Sequence, residues 1–449
     1  MKRIAPIVLL LASVVSCAPY ARHTADIRAA LQTGDYPAAR ERIGKAAGNS
    51  NKLLFYLEHG TIAHTRGDYD LSNRYFETAE RVADHLFTRS ITREAAALVT
   101  NDEVRRYRGE PFERVFINYY RALNYWHLGQ FEDALVECRK ANLKLSEYTG
   151  YADSEASYRS DAFIHYLTAL MYEAIGDLND AYVSLKHARK GYQAYAERFG
   201  MSPPPSLEQD FIRIVAQFGD MPEDSSPVGF SIDSTDGELV LLSEVGFVPR
   251  RVQEELNLPI YDNDIKLTRR GRENLAAQHV IRRHYRRSHH SDVNYWLRVA
   301  IPRLESTPKR TTRVKVSAGD LQRQARSEAV EDLDAISRAT LADKHGAILA
   351  RTVARGIVKY ITTESIKDEN RVLGWLANLF TAATEKADTR SWVSLPGSIH
   401  LSRLTLPSGE HDIVIETIGR GGHTVERKTL ERVKITAGER TFVNHRFYE

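Results

Sequence analysis

Gly129-Gln130-Phe131-Glu132-Asp133-Ala134-Leu135-Val136-Glu137-Cys138-Arg139-Lys140-Ala141 decides how the first half of this chain is read. A glycine turn leads into an aromatic residue, then a small residue, a larger apolar residue and a second small residue. The same offsets recur in Gly34-Asp35-Tyr36 with Ala39, Ile43 and Ala46, and in Gly67-Asp68-Tyr69 with Ser72, Phe76 and Ala79. They recur again in Gly176-Asp177-Leu178 with Ala181, Leu185 and Ala188. Glycine permits the left-handed backbone that ends one helix. The small residue lets the paired helices approach, and the residues four and seven further on continue an apolar stripe. On the preceding helix Gly60, Ala122 and Ala169 hold the matching small position. The expectation is a row of helix hairpins from Ala25 to about Gly200.

This pattern resembles the tetratricopeptide repeat, whose period is about 34 residues. Gly34 and Gly67 lie about one period apart, whereas Gly129 and Gly176 come at longer intervals, so residues about 88–113 and 143–160 read as insertions or extra helices. The resemblance implies a curved inner wall lined by the first helix of each unit. That wall would present Leu57, Thr61 and His64, then Phe116, Tyr119, Leu123 and Trp126, then Phe163, Tyr166, Leu170 and Glu173. Tyr119, Trp126, Tyr166 and Glu173 are the expected contacts of a groove that takes an extended peptide or a helix from an envelope protein. The alternative is a groove filled by the insertions, with these residues as core.

The N-terminus has a different character. Lys2 and Arg3 precede an apolar run from Ile4 to Val15, broken by Ser13. As a helix it covers roughly 18 Å, short of the ~30 Å hydrocarbon core, which suits removal better than spanning. Val14-Val15-Ser16-Cys17 resembles the bacterial lipobox. The resemblance implies that residues 1–16 are a signal peptide and that Cys17 is acylated. Ala18 in place of Asp is similar to the pattern that sorts lipoproteins to the outer membrane, facing the periplasm. The alternative is an ordinary secretory signal with an incidental cysteine. No later stretch approaches 18 uninterrupted apolar residues, so the lipid alone would contact the membrane. Cys138, the other of two cysteines, then lacks a disulfide partner and reads as a core thiol.

At 449 residues, 42% hydrophobic and 27% charged, the chain has the composition of a globular protein of two or three domains. Domain 17–200 is the helical repeat. Residues 201–235, with Ser202-Pro203-Pro204-Pro205-Ser206, read as a Pro-rich linker in which a helix returns around Leu207 to Phe218. Residues 236–387 read as a mixed α+β unit. Its strands are Glu238–Ser243, Val252–Pro259, Tyr295–Ile301 and Thr311–Ser317; its helices are Asp320–Ile361 and Arg371–Lys386. Residues 388–449 alternate apolar and polar between Gly turns and read as a small antiparallel β module. The expected fold class is multidomain: an all-α repeat like the tetratricopeptide type, an α+β unit and that β module.

The net charge of +3 is uneven: between Arg250 and Lys315 sixteen Lys/Arg stand against seven Asp/Glu. The densest part is Arg282-Arg283-His284-Tyr285-Arg286-Arg287-Ser288-His289-His290. Arg282, Arg283, Arg286 and Arg287 are candidates for an anionic envelope ligand, peptidoglycan or lipopolysaccharide, against the plainer reading of a solvated helix face. The envelope address argues against nucleic acid. The cluster's histidines match no zinc spacing. Ser306-Thr307-Pro308-Lys309 has the Ser-x-x-Lys spacing of penicillin-binding enzymes, but Pro308 and the flanking β-type runs do not suit it. No phosphate loop, His-Glu-x-x-His or Gly-x-Ser-x-Gly is present, so no catalysis, metal or cofactor is expected. Asp388-Thr389-Arg390-Ser391-Trp392 reads as an inter-domain latch. That segment, with Gly109-Glu110-Pro111-Phe112-Glu113-Arg114 running into Tyr120-Arg121-Ala122-Leu123-Asn124-Tyr125, resembles a little-characterised family of bacterial tetratricopeptide lipoproteins. The resemblance implies a location and an architecture, with no reaction attached. The function expected is a non-catalytic scaffold that positions envelope proteins.

Overall fold

The computed structural model describes residues 20–47, 51–91, 106–148, 161–218, 235–269, 272–286, 293–369 and 386–449. The first half is helical. Helix α1 (Tyr20–Gln32) pairs with α2 (Tyr36–Ala47), α3 (Lys52–Thr65) with α4 (Tyr69–Ile91), α5 (Pro111–His127) with α6 (Phe131–Tyr148), and α7 (Ala162–Ala174) with α8 (Leu178–Phe199). Gly34, Gly67, Gly129 and Gly176 take φ of 71°, 80°, 73° and 84° at the four turns, a region costly for any residue with a Cβ. The small positions lie at contact distance: a Cβ on Gly60 would stand 2.8 Å from the Phe76 ring. Helix α9 (Pro205–Gln217) then packs on α8, opening on a proline where no backbone N–H is needed. The helix expected around Leu207 to Phe218 is thus present, over Pro205–Gln217.

Strands dominate the second half: β1 (Asp236–Val245), β2 (Arg250–Ile260), β3 (Tyr295–Glu305), β4 (Thr311–Ala318), β5 (Arg323–Arg326) and β6 (Glu328–Asp332). After them come β7 (Ser398–Pro407), β8 (Gly409–Gly419), β9 (Thr424–Ile435) and β10 (Arg440–Phe447). Helices α10 (Asp262–Arg269) and α11 (Glu273–Arg286) separate β2 from β3, and α12 (Leu333–Glu369) comes after β6.

One sheet runs β10-β1-β7-β6, with β10 parallel to β1 and β7 antiparallel to it. A second runs β5-β4-β8-β9. Leu239, Leu241, Val245, Leu404 and Phe447 on one face of the first sheet meet Val314, Val316, Ile413 and Ile415 of the second, which gives a sandwich. The opposite face, with Val240, Leu242, Ile399, Leu401 and Phe442, joins the core of the helix hairpins. Strand β1 is accordingly buried on both faces from Gly237 onward. The order of layers is helices, sheet, sheet.

Two expectations change here. Residues 388–449 are not a separate β module: β7 and β10 flank β1, and β8 pairs with β4, so 236–387 and 388–449 share both sheets. Residues 320–332, expected to open the long helix, include β5 and β6. They are short, charged strands stabilised by pairing with β4 and β7, contacts that local periodicity does not register. Helix α12 instead starts at Leu333, with the Asp332 carboxylate accepting from the Ala335 N–H at 3.1 Å. The helix expected over 371–386 lies outside the described residues but for Lys386.

A third cluster stands apart. The β2–β3 ribbon packs Leu258, Leu297 and Val299 against Val280 of α11 and Val353 and Ile357 of α12. Leu297 presses on Gly356, where a Cβ would come within 2.7 Å. Helix α12, roughly 55 Å long at ~1.5 Å per residue, runs from Leu333 and Ile336 in the main core to Val353 and Ile357 in this one.

Candidate functional site

The wall residues expected from the repeat do share one surface, but it is not an open groove. The chain's own first sheet lies on it. Even-numbered residues of β10 face the helices in a row. Arg440 pairs with Glu173 of α7 at 2.5 Å, and the Phe442 ring lies 4.7 Å from that of Trp126. Asn444 bonds both His64 and His127, at 2.7 Å each. Just beyond the strand, the Tyr448 hydroxyl is 3.1 Å from that of Thr65. From β1, the Glu244 carboxylate accepts the hydroxyls of Tyr119 (2.9 Å) and Tyr120 (3.0 Å). Tyr119, Trp126, Tyr166 and Glu173, expected as contacts for a partner, thus contact this chain; Tyr119 is 1% and Tyr166 0% exposed. The physical reason is that a sheet with an apolar inner face and buried acids supplies what the aromatic wall needs.

A closed circuit of charge seals the seat at one end. Glu173 pairs with Arg213, Arg213 with Asp210 (2.7 Å), Asp210 with Arg403 (2.7 Å), Arg403 with Glu238 (2.6 Å), and Glu238 with Arg440 (2.6 Å). Arg440 returns to Glu173. Three carboxylates and three guanidinia alternate, drawn from α7, α9, β1, β7 and β10, and the Tyr166 hydroxyl donates to Asp210 at 2.8 Å. Burial alone would raise the Asp210 pKa, but Arg403 leads the opposing cations and holds it at about 2.

Trp392 seals the other end. It is fully buried, its ring 5.7 Å from Phe76 and 5.8 Å from Tyr120. Its Nε1–H donates toward Thr61 (3.0 Å) and Ser394 (2.9 Å). Three consecutive backbone N–H groups bond to carboxylates of the wall: Trp392 to Glu113 (2.8 Å), and Val393 and Ser394 to Glu58 (2.7 and 3.2 Å). Glu113 also accepts the Glu110 N–H at 2.7 Å in the capping box of α5 and receives the Tyr107 hydroxyl. Burial raises the Glu113 pKa, and the neighbouring Glu110 charge adds to it. Glu110 goes the other way, to about 2: against the effect of burial, Lys344 and Arg251 hold it ionised, each at 2.5 Å. The Gly109–Arg114 and Asp388–Trp392 segments, far apart in sequence, meet here. Arg390 grips Asp388 through two bonds, 2.7 and 2.8 Å, and reaches Asn51 at 3.0 Å.

The other candidates fall outside this seat. Arg282 is exposed on α11, whereas Arg283 pairs with Asp264 and stands 4.4 Å over the Tyr261 ring, so it is committed internally. Arg286 ends α11, while Arg287 and Cys17 lie outside the described residues. Cys138 is buried with its Sγ 3.8 Å from the Met171 sulfur, and burial pushes its pKa up to about 12, which keeps it an inert thiol. Ser306 to Lys309 lie between β3 and β4, and Lys309 turns to Asp332 at 2.8 Å. Among the described residues no group of His, Cys, Asp and Glu is placed to hold a metal, and no helix is long and apolar enough to cross a membrane.

Glu58, Glu244, Arg403, Arg440 and Asn444 hold the sheet on the helices, and the sequence does not flag them. The available signal is acid placed on an apolar face: Glu58 within α3, and Glu238 and Glu244 in phase with Val240 and Leu242 on β1. No family model, curated protein or solved structure matches the chain. A helical half leading into a sheet-bearing half is what the fold establishes.

Proposed function

We propose that this chain is a non-catalytic adaptor of the bacterial envelope, tethered to the outer membrane on its periplasmic side through an acylated Cys17. In this reading its first half is a tetratricopeptide-like repeat whose inner wall is the permanent seat of its own sandwich. The supporting observation is that seat: the wall recognises protein backbone, with Glu58 and Glu113 accepting three successive N–H groups around Trp392. Lifting the sheet away would expose its apolar inner face, with Val240, Leu242, Leu401 and Phe442, to water. An envelope partner is therefore assigned to the outward surfaces.

The test has two arms. Palmitate should label the wild-type chain in cells and not the Cys17→Ala variant. A photo-crosslinking residue placed in turn at Arg282, at Glu431 (exposed on β9), at Tyr119 and at Trp126 should capture envelope protein from the first two positions only. Capture from the wall positions in a folded chain defeats the closed-wall reading, and unlabelled wild type defeats the tether.

A second reading, binding of an anionic envelope glycan or lipid, is favoured by the exposed cations Lys266 and Arg269 on α10, Arg272 just before α11, and Arg282 on α11. Co-sedimentation with lipopolysaccharide or peptidoglycan should then weaken in Arg282→Glu and with added salt.

A further inference from the structure

Two histidines and one asparagine join α3, α5 and β10 through a run of hydrogen bonds whose direction is fixed at its far end. The Asn124 Nδ2 donates to Ser72 Oγ and to Asn73 Oδ1, each at 2.9 Å, while Ser72 Oγ donates to the Gly60 carbonyl at 2.9 Å. The Asn124 Oδ1 therefore faces His64 as an acceptor, and His64 Nδ1–H donates to it at 2.6 Å. A neutral His64 then offers a lone pair at Nε2, which receives Asn444 Nδ2–H at 2.7 Å. Asn444 Oδ1 in turn accepts from His127 Nε2–H at 2.7 Å. Each bond in the run then joins one donor to one acceptor, provided both rings are neutral.

We propose that His64, Asn444 and His127 form a two-proton clasp that holds the end of β10 on the helical wall at neutral pH and releases it locally when both rings are protonated. Counting donors against acceptors gives the reason. A single proton on His64 is tolerated: the Asn444 amide turns over, presents its oxygen to His64, and donates to His127 in its other tautomer. A second proton is not. Asn444 has one acceptor end and two imidazolium donors to satisfy, so one N–H is left facing an NH₂ group.

The surroundings offer no relief. From α4, Tyr69 stacks on His127 at 4.5 Å and meets the edge of His64 at 5.7 Å. From α5, Tyr120 lies 4.9 Å from His64, its hydroxyl given to Glu244. The Glu244 carboxylate already serves Tyr119 and Tyr120 and lies 3.9 Å from Arg446. On β10, Arg440 belongs to the charge circuit and Arg446 to backbone carbonyls, while His445 packs edge-on to Phe447 at 4.6 Å. Beyond the strand, Tyr448 bonds Thr65. Among the described residues no carboxylate bonds either ring, and the rings themselves are 6.5 Å apart, so the second proton also meets the charge of the first. Burial lowers both pKa values to about 4, with the Asn124 bond to His64 and the Asn444 bond to His127 acting in the opposite sense.

The test is amide hydrogen exchange on the full chain between pH 7 and pH 4, corrected for the intrinsic rate. The 440–448 peptide is compared with peptides of the β2–β3 ribbon. The wild type should lose protection in 440–448 by about tenfold or more relative to the ribbon. Asn444→Asp supplies two acceptor oxygens and a charge, so it should keep protection to a lower pH than the wild type. His127→Gln, which still donates to Asn444 but cannot take up a proton, should make the acid step markedly smaller, with His64 and His445 left to titrate. Parallel loss in wild type and Asn444→Asp, or an unchanged acid step in His127→Gln, overturns the clasp.

Discussion

Replacing Arg403 by methionine examines the seat at its most connected point. Arg403 touches Asp210 and Glu238, whose side chains are 3% and 0% exposed. Without it the circuit carries a net negative charge, with Glu238 left on Arg440 and Asp210 left on Arg213 and Tyr166. Methionine keeps most of the aliphatic stem, so little packing is lost. Removing one member of a buried pair costs about 3–5 kcal/mol, or roughly 10²–10⁴ in the folded-to-unfolded ratio. Adding Glu238→Leu removes the matching acid. What remains, Asp210–Arg213–Glu173–Arg440, alternates in sign and is neutral. The double variant should therefore recover most of the loss, because replacing a whole buried pair by apolar groups is close to neutral. The assay is the urea midpoint at pH 7 with the slope unchanged, repeated in high salt, which should matter little for buried charges. A single variant within about 0.5 kcal/mol of wild type, or a double variant as poor as the two singles summed, would refute the reasoning.

Three further outcomes are expected. Burial holds His64, His127, His165, His400 and His445 at about 4, against 6.5 in the open chain. Their contribution is intact above pH 6.5 and falls toward pH 4, as the unfolded chain alone takes up protons, by at most about 1.4 kcal/mol per pH unit for each ring; a flat unfolding free energy over that range would contradict this. Cys138, with its thiol raised to about 12, should resist iodoacetamide in the native chain and react once the chain is unfolded in urea, so rapid native labelling would place it elsewhere than in the core. Gly60→Ala should lower the melting temperature, because its Cβ would stand 2.8 Å from the Phe76 ring and overpacking of about 1–3 kcal/mol outweighs the ~1 kcal/mol of added helix propensity; a rise in melting temperature would show that the two helices can part.

The first half of this protein is legible residue by residue because its determinants are local. Turn glycines, small contact positions and apolar stripes lie within a few helical turns of one another, and the hairpins at Gly34, Gly67, Gly129 and Gly176 result from them. Even the wall positions are readable: Tyr119, Trp126, Tyr166 and Glu173 do fall on one surface. What covers that surface is not. Strands β1, β7 and β10 acquire their partners across most of the second half of the chain, and a strand shows alternation without saying which strand will lie beside it. Glu238 and Glu244 carry the clearest lesson. On a strand they look like a solvated edge, yet tertiary packing makes them the buried counterions of Arg403 and Arg440 and the acceptor for two tyrosines. Local sequence determined the helices and the wall they build, since hydrogen bonds and stripes close within one element. Tertiary structure alone decided that the wall is occupied, since the cost of burying a charge depends on partners that only the folded chain brings near.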